Sequence, residues 1–205
     1  MTRPPPALPP PRPRVFLSHA WAPDDEGRDT HARAVRFAHH LKRAGLRVWI
    51  DDDQIHSGHV DATIADGIEG CPVFVALITR AYCNKVQHGL RERVAHDSCA
   101  KEWSCAVVRR RQIVPVIFEP SMRDVAAWPG GVVSLQVGGF LHVDASRDED
   151  LEDAAQTLVR LVSSRSAATA AKLAVPAATA ARPETPRTPR TVLCSLRRRS
   201  RRKTW

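Results

Sequence analysis

The chain has 205 residues, 43% of them apolar, with a formal net charge of +9, which suffices for one packed domain of about 100–150 residues plus tails. Residues 14–163 carry 18 Lys and Arg against 21 Asp and Glu, whereas the stretch from Ser164 onward carries 11 against a single acid. The basicity lies in the tails, which argues against a nucleic-acid-binding fold, and the longest apolar run, Pro72 to Ile78, falls far short of the ~20 residues that cross a bilayer.

The Pro-rich lead, residues 1–13, favours extended polyproline II and reads as a stiff spacer or an SH3-type ligand. Five short apolar runs then alternate with helical patterns, the signature of stacked βαβ units. The strands are expected at Val15–Ser18, Arg47–Asp51, Val73–Ile78, Ile113–Ile117 and Phe140–Val143. The third and fourth are nearly continuous apolar runs and belong at the centre of the sheet.

Helices are expected over Thr30–Gly45, with Val35, Ala38 and Leu41 on one face, and over Val60–Ile68, with Val60, Ile64 and Ile68 at i+4 steps. A third is expected over Ala100–Arg110, with Trp103, Ala106, Val107 and Arg110 in one stripe. The last opens on a capping box, Ser146-x-x-Glu149, and continues through Leu151, Ala155, Leu158 and Val162. Right-handed crossovers then give an α/β fold: a flavodoxin-like, doubly wound five-stranded parallel sheet in the order 2-1-3-4-5. From Ser164 to Trp205 the chain is low-complexity and basic, too poor in large apolar groups to offset its ordering entropy. The expected organisation is therefore a lead at 1–13, one domain at 14–163 and a disordered tail at 164–205.

Ligands of such sheets sit beyond the carboxyl ends of the strands. That edge collects His19, Ala20 and Trp21 after the first strand, Asp51 to Gly58 after the second, and Thr79 to Tyr82 after the third. It offers Ser18-His19 and Thr79-Arg80 where a phosphate-receiving regulator needs acidic groups. No GxGxxG or Walker loop follows a strand. Cys83, His88, His96, Cys99 and Cys105 match no common zinc spacing, so no metal is expected. Ser18 and His19 are not a nucleophile–base pair, because neighbours on a strand point to opposite faces. Five cysteines without a CxxC pair, and no apparent secretory signal, point to the cytoplasm.

One ordered series of motifs carries more. Val15-Phe16-Leu17-Ser18-His19 is followed by Gly27-Arg28-Asp29-Thr30, by Val48-Trp49-Ile50-Asp51-Asp52-Asp53 with Gly58, by Thr79-Arg80-Ala81-Tyr82, by Cys99-Ala100-Lys101-Glu102, and by Ile113-Val114-Pro115-Val116. In order and spacing this series resembles the TIR (Toll/interleukin-1 receptor) domain, over about 130 residues. The resemblance implies an intracellular signalling module that binds itself or other TIR domains, with Asp52, Asp53, Gln54, Ile55, His56, Ser57 and Gly58 as its BB loop, the element of self-association and gating. In catalytic members the glutamate of C-x-x-E cleaves NAD, which places the catalytic role on Glu102. His19, Ala20, Trp21, Asp51 and Cys99 then fall to binding NAD, which is substrate rather than cofactor. The pattern departs at two positions: Ser98 stands where many members have a stacking tryptophan, and His56 where some have a glutamate. A non-catalytic interaction module is the alternative reading. The tail's Arg197-Arg198-Arg199-Ser200-Arg201-Arg202-Lys203 suits nuclear entry or weak contact with nucleic acid or anionic lipid, with a solvated charge run as the plainer alternative.

Overall fold

The structure is a computed structural model that describes residues 14–51, 60–92 and 97–173. Five parallel strands, β1 (Arg14–Ser18), β2 (Arg47–Trp49), β3 (Val73–Ile78), β4 (Gln112–Ile117) and β5 (Val143–Asp144), form one sheet in the order β2-β1-β3-β4-β5. The helices are α1 (Thr30–Arg43), α2 (Val60–Glu69), α3 (Arg80–Glu92), α4 (Ser98–Val108), α5 (Val132–Val137) and α6 (Leu151–Leu173), with short 3-10 turns between β4 and α5 and before α6.

Side chains alternate across a strand, and this divides the core in two. Val15 and Leu17 of β1 join Val73, Val75 and Leu77 of β3 under α1 and α6. Phe16, Phe74, Ala76 and Ile78 face the other way, against Ile68 of α2, Val86 of α3 and Trp103 of α4. Every side chain of β3 is buried, as a central strand with helices on both faces requires. The Phe16 ring lies between Trp49 at 4.3 Å and Phe74 at 5.5 Å. Trp49, partly buried, thus packs against this face of the core. Gly67 of α2 sits under the Trp49 indole, where a Cβ would come within 2.5 Å of the ring.

α1 starts where the Asp29 side chain accepts the Ala32 N–H and stops where Gly45 takes φ +101°, a conformation that favours glycine. In α6, Leu151, Ala155, Leu158 and Val162 are all buried. The helix continues to Leu173, beyond the boundary expected at Ser163, because its alanine-rich extension has high helix propensity even with little to bury.

Several expectations are corrected. The second strand ends at Trp49 rather than Asp51, and the last is Val143–Asp144. Phe140 and Leu141, placed in that strand by their hydrophobicity, are 53% and 77% exposed. The capping box at Ser146 does not form: a 3-10 turn at Asp148–Asp150 leads into α6, and no side chain caps it. In α4 the buried stripe is Cys99, Glu102, Trp103 and Ala106, with Val107 and Arg110 outside it. Thr79 to Tyr82 is the start of α3 rather than a free turn, with Thr79 Oγ1 accepting the Tyr82 N–H.

Candidate active site

Glu102 lies in the second turn of α4, which the Asp97 carboxylate opens by accepting the Ala100 N–H. The helical spacing that buries Cys99, Trp103 and Ala106 also turns Glu102 inward, and only 6% of the residue remains exposed. Its carboxylate meets the carboxyl end of β1, where Ser18 Oγ donates to Oε2 at 2.6 Å. The single hydroxyl proton of Ser18 is thereby committed, so the buried Tyr82 hydroxyl, 3.0 Å away, donates to Ser18 Oγ in turn. A chain of three polar side chains thus runs from α3 through β1 to α4.

No cation pairs with Glu102 among the described residues. Burial pushes its carboxyl up to about 8; the Ser18 hydroxyl bond opposes this, and the nearby Asp51 and Asp97 charges add to it. Tyr82 and Cys99 are raised too, chiefly by burial. The Cys99 thiol donates to the His19 carbonyl at 3.4 Å, so Cys99 is a positioning group and not a thiolate.

The remaining residues form a rim. His19 is buried, and its Nε2 lies 2.8 Å from Nδ1 of His31 in the first turn of α1. Trp21 is 62% exposed. Its indole stacks on His31 with ring centres 3.8 Å apart, and Nε1 donates to Asp51 Oδ2 at 2.7 Å. His19, His31 and Asp51 bring potential ligand atoms within 4.8 Å of one another. Glu102, His19, Trp21, Asp51 and Cys99 therefore converge at one strand edge, whereas Ala20 is wholly buried in the core beneath them. Asp52 to Gly58, the expected BB loop, lie outside the described residues. Ser98 is exposed at the start of α4.

Three members of this constellation escape a reading of the sequence. Ser18 was weighed there only beside His19, its chain neighbour, and its partners Glu102 and Tyr82 are 84 and 64 residues away. Tyr82 stands in the sequence only as the end of the Thr79-Arg80-Ala81-Tyr82 motif, with nothing to pair it with Ser18. His31 carries no local signal other than its place at a helix start next to the β1 edge. The histidines and cysteines weighed for zinc did not include it.

A family model described as "TIR domain" matches residues 15–159. Among solved structures, the TIR domain of the Toll-related receptor TRR-2 from the lower metazoan Hydra magnipapillata is similar at 14% identity and a TM-score of 0.48, over 73% of this chain and 97% of that one. No curated protein matches. With the family model spanning most of the chain and the sheet in the order that the motifs imply, the protein belongs to the TIR domain family of signalling proteins.

Proposed function

We propose that this domain cleaves the nicotinamide–ribose bond of NAD when copies of it associate, with Glu102 as the catalytic carboxylate. The observation that carries this reading is a buried carboxyl at the strand edge where ligands of such sheets sit, held by a hydroxyl and, among the described residues, by no counter-charge. Acids are almost never buried without a partner unless something else requires them there. Glu102 stands in the second turn of α4, past the first turn where an acid complements the helix dipole by about 0.3–1 kcal/mol, and such a role gives a glutamate no reason to leave water.

The chemistry suits such a group. Nicotinamide leaves a cationic ring as a neutral base, so no general acid is needed, and the barrier lies in the oxocarbenium-like sugar. The positive charge that the substrate brings offsets the burial that keeps Glu102 protonated. The ionised carboxylate then holds the ribose hydroxyls and opposes the charge that develops on the sugar. Ser18 positions Oε2, and water captures the sugar. The exposed Trp21–His31 stack offers a flat surface for a base, a role the Ser98 position cannot fill.

A second reading, a TIR–TIR interaction module without catalysis, draws on the exposed apolar side chains Val108, Leu135, Phe140 and Leu141. Chromatography of NAD incubated with concentrated protein separates the two. Nicotinamide release that disappears in Glu102→Gln supports the enzyme. Release that persists in that variant removes Glu102 from the role, and concentration-dependent self-association without release leaves the interaction module.

A further inference from the structure

The rim carries a second chemistry that NAD cleavage does not use. We propose that His19, His31 and Asp51 form a binding site for a zinc ion, with two imidazole nitrogens and one carboxylate oxygen as ligands and a fourth position that no described residue fills.

Three separate elements bring these side chains together: His19 follows β1, His31 stands in the first turn of α1, and Asp51 follows β2. Their candidate ligand atoms all lie within 4.8 Å of one another. The two histidine nitrogens are already 2.8 Å apart. Tetrahedral zinc with bonds of about 2.0–2.1 Å separates its ligand atoms by roughly 3.3 Å. The imidazoles thus need to part by about half an ångström and the carboxylate to swing inward, movements within the reach of side chains alone. The hydrogen bond between the two ring nitrogens gives way to two bonds to the ion, each made by a nitrogen lone pair.

The surroundings hold these groups as outer partners hold metal ligands. The Trp21 indole N–H fixes one oxygen of Asp51. The rings of Trp21, His31 and His19 form a stack, with His31 3.8 Å from Trp21 and 5.1 Å from His19. The Cys99 thiol ties down the His19 carbonyl, and His19 itself is 4% exposed. Two imidazoles and a single carboxylate suit zinc or another late first-row ion and are too poor in oxygen for magnesium or calcium. Three protein ligands with one open position is the pattern of a site that can accept a further ligand.

The test does not depend on NAD cleavage. The full chain, stripped of metal and kept reduced with a phosphine, is titrated with zinc chloride in competition with a chromogenic chelator, and with cobalt chloride read by its visible absorption. One equivalent of zinc should bind with Kd below about 1 µM, and cobalt should give the intense bands of four-coordinate geometry. His31→Gln and Asp51→Asn should each weaken this binding at least tenfold and abolish the cobalt bands, with circular dichroism confirming that each variant is folded. Neither residue is fully buried, so should one variant unfold, the other decides. Absence of equimolar binding by the parent chain overturns the proposal. So does retention of the tight equivalent in both variants, which would assign it to other histidines or cysteines.

Discussion

Arg33 and Glu102 are both buried ionisable side chains on helices, and the fold treats them in opposite ways. Arg33 spends all five N–H groups. Nε donates to Asp148 at 2.6 Å, Nη1 to the Phe118 carbonyl at 2.6 Å and to Asp24 at 3.4 Å, and Nη2 to the Ala145 and Ser146 carbonyls at 3.2 Å each. Its guanidinium also lies 4.4 Å over the Phe118 ring. It staples α1 to the ends of β4 and β5. Glu119 is equally well served, accepting the Arg80 N–H, the Ser121 hydroxyl and the Asp25 N–H. Glu102 receives one hydroxyl bond and has two acidic neighbours. The contrast separates charge that the fold uses to close itself from charge that the fold tolerates for another purpose.

The largest effect that would break this distinction lies at Glu102. Glu102→Gln keeps shape and the Ser18 contact, and NAD turnover should fall by about 10³-fold or more, as when a group that stabilises charge in the transition state is lost. Nicotinamide release at fixed protein concentration measures it. Arg33→Met should do the reverse, costing about 2–5 kcal/mol of stability by removing the donors to the buried Phe118 and Ala145 carbonyls, while Asp24 keeps Arg28 and Asp148 keeps Arg36. Denaturant unfolding reads that loss, and a cost under 1 kcal/mol would show that the staple is decorative.

Two smaller changes sharpen the account of Glu102 itself. In the proposed mechanism the active form is the carboxylate, and burial raises its carboxyl to about 8, so kcat/KM should rise with pH through neutrality and level off above that value. Ser18→Ala removes the one described bond that favours ionisation, so the midpoint should move to higher pH and the rate at pH 7 should drop about tenfold, the worth of one hydrogen bond to a charged group. Asp97→Ala removes a charge that opposes ionisation, so the midpoint should move to lower pH, with the loss of the N-cap costing about 1 kcal/mol. Profiles that shift the same way in both variants would contradict the assigned electrostatics.

Much of the fold was legible because it rests on local pattern. The continuous apolar runs of β3 and β4 mark central strands, the i+3 and i+4 steps of α1 and α6 mark their core faces, and Gly45 marks a helix stop. What escaped depends on distant partners. α3 opens Arg80-Ala81-Tyr82-Cys83-Asn84-Lys85, a polar mixture whose buried face is only Tyr82, Cys83, Val86 and Gly89, and its periodicity is weak without its neighbours. Phe140 and Leu141 look like strand residues and are exposed. At the site, the motif containing Cys99 and Glu102 singled out the carboxylate. The Ser18–Tyr82 relay, the histidine pair and the five-fold pairing of Arg33 are all contacts across the chain that no spacing rule encodes.

At the centre stands a buried Glu102 carboxyl that no described residue neutralises, held there at the expense of the fold. A carboxyl raised in the native state binds a proton there that the unfolded chain has released, so between about pH 4.5 and 8 its contribution to stability falls as pH rises. Melting temperatures of the wild-type protein and Glu102→Gln, compared across pH 4 to 9, measure this directly. The account predicts that the variant gains on the wild type steadily across that interval and is the more stable of the two at pH 8; a wild type that keeps a constant or growing advantage as pH rises would contradict it.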